Sequence, residues 1–237
     1  MRPATEESPG SRIEHALGVR FRDAALRDLA LTHRSFAFEE GLETHNERLE
    51  FLGDAVLDLA IAEMAYVGFP ELQEGELAPL RAAIVNMTAL SEVARSLGLG
   101  DALFLGKGEE KGGGRDKASI LADALEAVIG AVYLDQGAES ARDLIERLFR
   151  PRMTAYARGE GDRDFKSLLQ QRASAELHEV PDYRIEERGP DHRKEFTATV
   201  FLGGRALGSG EGRSKKEAEQ RAAREAFLAL DAEGGAA

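Results

Sequence analysis

Two short acidic series set on apolar helical patterns carry the residue types needed to hold a hard divalent cation. The first is Asn46-Glu47-Arg48-Leu49-Glu50-Phe51-Leu52-Gly53-Asp54-Ala55-Val56-Leu57. At about 100° per residue, Glu47, Glu50 and Asp54 fall within roughly 60° of one another on a helix and form one stripe. Like charges at that spacing destabilise an isolated helix, so a stripe kept among Leu49, Phe51, Leu52 and Val56 calls for a cation. The second series lies in Ser119-Ile120-Leu121-Ala122-Asp123-Ala124-Leu125-Glu126-Ala127-Val128-Ile129-Gly130, where Asp123 and Glu126 are three apart on another apolar helix. Packing of these two helices through their Leu and Val faces would gather Glu50, Asp54, Asp123 and Glu126 around one point. An all-carboxylate set with no histidine or cysteine suits Mg²⁺, with Mn²⁺ as a substitute, rather than zinc. Such ions serve phosphoryl chemistry.

Taken singly, each acid reads as part of a solvated helix face, where a carboxylate every three or four residues is ordinary. Read together, the two series are less ordinary. Asp123 and Glu126 are flanked by Ile120, Leu121, Leu125, Val128 and Ile129, and no lysine stands at i+4 to pair with either.

The helices that must position these acids are legible in the apolar periodicity. It recurs at helical spacing over Asp23 to Leu31, Asn46 to Val67, Glu74 to Val85, Thr88 to Leu97, Lys117 to Leu134 and Ser140 to Tyr156. Breaks fall at Gly68-Phe69-Pro70, at Gly98 to Gly100 and in the glycine-rich Gly106 to Gly114 segment. Half a dozen helices over residues 11–156 are therefore expected. Residues 157–163 hold two glycines and no apolar period, which reads as a flexible linker. From 164 to 232 the pattern becomes helix, three strands and helix: Asp164 to Glu179, Tyr183 to Glu187, Glu195 to Phe201, Arg205 to Gly212 and Lys215 to Leu230. The fold class is mainly α with a C-terminal α+β unit. The Gly234-Gly235-Ala236-Ala237 tail reads as disordered.

A chain of 237 residues with 43% hydrophobic composition is long enough for a helical domain and a small second one. No stretch reaches the roughly 18 apolar residues of a bilayer span, and residues 1–10 are polar. The expectation is a soluble, unprocessed, cytoplasmic protein with no membrane partner. The absence of cysteine removes disulfides, thiolate metal sites and cysteine nucleophiles, and fits a reducing compartment. The net charge of −12 argues at first against nucleic acid, yet residues 164–237 hold 12 Lys and Arg against 14 Asp and Glu, so most of the excess lies before them. Affinity for phosphates depends on where basic groups cluster, and an acidic domain that holds metal turns local repulsion into attraction.

With these residues in hand, the chain resembles bacterial ribonuclease III over essentially its whole length. The run from Asn46 to Leu57 matches that family's signature, with Glu47 to Asp54 agreeing in order and spacing. The resemblance implies an all-helical catalytic domain followed by a double-stranded-RNA-binding domain. It implies Glu50, Asp54, Asp123 and Glu126 as metal-binding carboxylates, with Asp54 and Glu126 catalytic. Glu47 resembles an acid at the dimer junction and RNA contact, and Glu74, in Gln73-Glu74-Gly75-Glu76-Leu77, an accessory acid. Leu31-Thr32-His33-Arg34-Ser35-Phe36 also resembles the family, although on its residues alone it reads as a helix end in which His33 and Arg34 form hydrogen bonds. Lys107, Lys111 and Arg115 of the glycine-rich segment are open to two readings, phosphate contact or a mobile surface loop. The segment has no Gly-Lys-Ser or Gly-Lys-Thr and is no nucleotide-binding P-loop.

In the implied RNA-binding domain, Gln170 on the first helix reaches one minor groove and the Gly189-Pro190-Asp191-His192 loop the next. Lys215 and Lys216 at the start of the last helix meet phosphates, aided by its exposed amides and positive dipole end. Such a module spans about 16 base pairs and measures A-form shape more than sequence. The chain departs from the fuller last-helix motif at Glu219, where a further basic residue is expected, and this is expected to weaken the contact.

The activity implied is endonucleolytic hydrolysis of both strands of double-stranded RNA, giving 5′-phosphate and 3′-hydroxyl ends, in processing of ribosomal, messenger and other structured precursors. It needs no side-chain nucleophile and no small-molecule cofactor, and the resemblance implies a homodimer with one active site per strand. Two rivals stand beside it. A binding module that coats duplex RNA without cutting would be marked by loss of a carboxylate, and all four are present. A helical hydrolase of nucleotides is disfavoured by the C-terminal unit. Incubation with long duplex RNA, with and without Mg²⁺, separates the three.

Overall fold

The computed structural model describes residues 9–157, 165–189 and 194–234, and the chain divides into two compact units, Met1–Arg158 and Gly159–Ala237. Residues 158–163 of the expected linker lie outside the described ones, as does most of the C-terminal tail, 235–237.

The described part of the first unit is helical: α1 (Pro9–Leu17), α2 (Ala24–Ala30), α3 (Arg34–Glu40), α4 (Glu47–Gly68), α5 (Glu74–Ile84), α6 (Met87–Ser96), α7 (Leu99–Ala102), α8 (Lys107–Lys111), α9 (Ala118–Gln136) and α10 (Ala138–Ala157). The six helices expected from periodicity are α2, α4, α5, α6, α9 and α10. The additional ones, α1, α3, α7 and α8, have nine, seven, four and five residues, at most two and a half turns each. Helix starts follow local chemistry. Asp23 caps α2 by accepting from the backbone N–H groups of Ala25 and Leu26, and Asn86 caps α6 by accepting from that of Ala89.

Helix α9 is the hub. Eleven of its residues are buried, including Ile120, Leu121, Leu125, Val128 and Ile129, so it reads as apolar on nearly every face and is surrounded by α2, α4, α6 and α10. Helix α4 buries Leu49, Gly53, Leu57, Ala60, Ile61, Met64 and Ala65.

The segment read as a glycine-rich loop is ordered by its neighbours. Ser35 Oγ accepts from the Gly106 N–H, and Glu39 accepts from those of Lys107 and Gly108. Arg115 is an internal clamp: its guanidinium donates to the carbonyls of Gly100 and Leu103 and pairs with Glu110 at 2.6 Å. The phosphate-contact reading is therefore withdrawn for Arg115.

The second unit runs α11 (Phe165–Arg172), β1 (Asp182–Arg188), β2 (Glu195–Leu202), β3 (Arg205–Gly212) and α12 (Lys215–Gly234). The strands pair antiparallel in the order β1-β2-β3, with a bulge at Val200/Phe201. The first helix is shorter than its apolar pattern, because a π-turn over Ala173–Leu177 follows Arg172 and ends on His178 in the left-handed region. The core joins Leu168, Leu169, Val200 and Leu202 to Ala218, Ala222, Ala223 and Phe227. The helix lies very close to β3: a Cβ on Gly212 would stand 2.7 Å from the Ala218 nitrogen, which explains alternate glycines facing an alanine-rich helix.

Candidate active site

The carboxylates of the two acidic series meet because α4 and α9 cross at glycines. A Cβ on Gly53 would collide with the carbonyl oxygen of Glu126, and one on Gly130 would lie 3.0 Å from the Gly53 nitrogen. Backbone contact at this crossing places Glu50, one turn before Gly53, beside Asp123 and Glu126. Each of these three half-buried acids offers a carboxylate oxygen, and the three oxygens lie within 4.8 Å of one another. Asp54 is not in this triple. It stands on the exposed side of α4, yet its charge acts on Glu126.

The electrostatics register the crowding. Burial, then the charges of Asp54, Asp123, Glu50 and Asp58, push the Glu126 carboxyl up to about 8. Glu50 is raised by burial and by Asp123, Glu47 and Asp54. Asp123 is raised by burial, although His33 and Arg34 pull it down. Three acids raised together describe a pocket with negative charge in excess, which a divalent ion held by their oxygens would offset.

Around Glu50 and Asp123 lies a cleft of about 300 Å³ whose charged walls comprise Glu47, Glu50, Glu109 and Asp123 against Arg34 and Lys117, with His33 between. Glu47 pairs with Arg34 at 3.5 Å and stands 4.0 Å from His45 Nδ1. His33 caps α3, as its reading as a helix end implied: Nδ1 accepts from the Ser35 N–H and lies 2.8 Å from Ser35 Oγ. These bonds assign the neutral ring's proton to Nε2. Burial holds the ring below its ordinary pKa, as does Arg34, against the opposite pull of Glu109 and Asp123.

Residues 23–153 match the model of a ribonuclease-III-like domain, and residues 165–230 that of a double-stranded RNA binding motif. The chain belongs to the ribonuclease III family. It is 58% identical over 204 residues to ribonuclease 3 of Thermobifida fusca (strain YX), covering 86% of this chain and 85% of that one. It is 53% identical to ribonuclease 3 of Nocardia farcinica (strain IFM 10152), covering 97% and 99%. The nuclease domain of ribonuclease III from Campylobacter jejuni superposes with a TM-score of 0.56 at 45% identity, covering 60% of this chain and 94% of that domain. A second structure of that domain, with a TM-score of 0.56 at 46% identity, covers 59% and 95% and is described for flexibility in a region involved in dimer formation. The ribonuclease III family consists of double-stranded-RNA endoribonucleases, and the helical unit followed by an α-β-β-β-α unit is its architecture.

Glu74 opens α5, is exposed, and is absent from the cleft walls. In the second unit Gln170, Lys215 and Lys216 are all exposed, and Gly189 adopts φ 94° just after β1, while Pro190, Asp191 and His192 lie outside the described residues. Glu219 is turned inward: its Oε2 lies 2.7 Å from Lys166 Nζ of α11. Sequence reasoning missed three contributors. Asp58 continues the series Glu50, Asp54 at spacing four, a signal that was available. Lys117 and Glu109 reach the cleft only through the tertiary fold.

Proposed function

We propose that the chain is a Mg²⁺-dependent endoribonuclease, with Mn²⁺ as a substitute, in which Glu50, Asp123 and Glu126 hold the metal and Asp54 joins them from the open side of α4. The observation that carries this reading is the 4.8 Å triple of carboxylate oxygens in which Glu126 is driven up to about 8. The ion would lower the pKa of an attacking water and offset charge on the phosphate oxygens in an in-line displacement. Without a counter-charge, Glu126 keeps its carboxyl proton at neutral pH. To hold an ion it would have to give up that proton, so affinity for metal would rise with pH towards 8. Asp54 and Glu126 are the catalytic pair, and Glu47 and Glu74 are accessory acids, Glu47 acting from the cleft wall through its pairing with Arg34. Attack by water with departure of the 3′ oxygen would leave 5′-phosphate and 3′-hydroxyl ends.

The catalytic domain comprises residues 11–156, a linker 157–163, and the RNA-binding domain 164–232. The latter grips duplex RNA through Gln170, the Gly189 to His192 loop, and Lys215 and Lys216. The working form is a homodimer. An apolar stripe on α4 supports this: Phe51 is 81% exposed, Leu59 70% and Tyr66 74%, and with Ala55 they follow one helix face beside Glu47. No described helix is long and apolar enough to cross a membrane. Cytoplasmic processing of ribosomal, messenger and other structured RNA precursors is the role that fits.

The test is incubation of the chain with long duplex RNA. Cleavage of both strands with Mg²⁺ and none with chelator supports the reading, and binding without cutting at any Mg²⁺ concentration replaces it with the binding module.

A further inference from the structure

The basic side of the cleft has a task that the carboxylates leave open. Four of its charged walls are acids and two are cations, so a phosphate approaching Glu50 and Asp123 meets repulsion on one side and attraction on the other. Arg34 is tethered to Glu47 at the start of α4, and Arg115, close in sequence, is spent on the carbonyls of Gly100 and Leu103. Lys117, paired at a similar distance, differs in leading directly into the helix that carries Asp123 and Glu126. Its ammonium is steered by Glu109 at 3.4 Å while its side chain stays 56% exposed. Glu109 packs over Gly114, where a Cβ would stand 2.7 Å from its Cγ and 2.9 Å from its carbonyl oxygen.

Lys117 precedes Asp123 by six residues, which is ~9 Å along a helix axis. That offset along α9 lets Lys117 face a phosphate other than the one at the carboxylate cluster. We propose that Lys117 seats the phosphate next to the scissile one on the strand being cut, and so positions the scissile bond over Glu50, Asp123 and Glu126. The inference rests on the nuclease reading above and adds a positioning contact to it. The ammonium gains a mobile phosphate in exchange for a partly exposed carboxylate, while Glu109 stays beside His33.

The experiment uses the full chain and a short RNA duplex with a single cleavage position, either unmodified or carrying one neutral methylphosphonate at the linkage 5′ or 3′ of the scissile bond. Single-turnover rates at saturating enzyme are measured for the parent, Lys117→Gln and Lys117→Arg. Lys117→Gln is expected to slow cleavage about 10- to 100-fold, the size of one charge-assisted hydrogen bond. Melting temperature should stay that of the parent, duplex affinity should fall by no more than a single phosphate contact accounts for, and Lys117→Arg should recover most of the rate. One of the two methylphosphonates should slow the parent equally and have no added effect on Lys117→Gln. Equal rates for the parent and Lys117→Gln, or losses that add at both linkages, overturn the phosphate seat while leaving the nuclease reading intact. A parent that leaves the unmodified duplex whole overturns both.

Discussion

Gly53 of α4 and Gly130 of α9 face each other where the helices cross, with the Cβ position of Gly130 3.0 Å from the Gly53 nitrogen. Between large side chains, helix axes stand 8–10 Å apart. Here backbone touches backbone, and that closeness brings Glu50 within reach of Glu126.

Gly53→Ala should therefore cost the enzyme its site as well as stability. The added methyl meets the Glu126 backbone, which cannot move as a side chain end would, so a loss of about 1–3 kcal/mol and collapse of cleavage are expected. Gly68→Ala is the control. Nothing outside its own helix lies within 4 Å of its Cβ position, so its melting temperature should not fall and its rate should match the parent.

Glu126→Gln should abolish cleavage, leave duplex binding, and stabilise the metal-free protein. A carboxyl that keeps its proton to about 8 in the fold but loses it near 4.5 in the unfolded chain makes folding take up a proton between those values. Stability of the parent thus falls as pH rises from about 4.5 to about 8 and is level above. The substitution removes the share of this slope that Glu126 contributes. Discounted for solvent screening, the gain at pH 8 is of order 1–2 kcal/mol, or roughly 2–8 °C in Tm. Thermal melts with chelator at pH 5 and pH 8 check it, and an unchanged pH slope in the variant would contradict the assignment.

Removal of residues 164–237 should weaken duplex affinity sharply at physiological salt and spare some cleavage at low salt. Lys215→Ala with Lys216→Ala should flatten the salt dependence of binding, because up to two fewer counterion sites are released. Filter binding across a salt series reads both effects.

Glu219→Lys should not strengthen RNA binding. The acid holds Lys166 at 2.7 Å between α11 and α12, and Lys166 also lies 4.8 Å from the centre of the Tyr183 ring. Reversing its charge sets two cations together in a partly buried place, costing on the order of 1 kcal/mol. Melting of the variant and its duplex affinity, measured side by side, check this.

A mixed dimer with one Glu126→Gln subunit should nick a single strand, and the mutant homodimer should cut neither. Strand-specific end labels on RNA incubated with a purified, differentially tagged heterodimer give the answer. Efficient breaks in both strands would refute one active site per strand.

By itself the sequence determined the helical period of α4 and α9, the acidic stripes on them, and the alternation and glycines of the C-terminal strands. These are local properties, set by 3.6- and 2-residue periods, and long elements repeat them often enough to be read. The shared position of Glu50, Asp123 and Glu126 depended on how closely α4 and α9 approach, which Gly53 and Gly130 permit but only packing realises. The withdrawal of Asp54 from the triple, the inward turn of Glu219 onto Lys166, and the arrival of Lys117 and Glu109 at the cleft were likewise tertiary. Each depends on distance to a residue far away in the chain, and periodicity carries no such distance. A charge on a helix declares its face, but only the neighbouring element decides whether that face meets water, a metal or another charge.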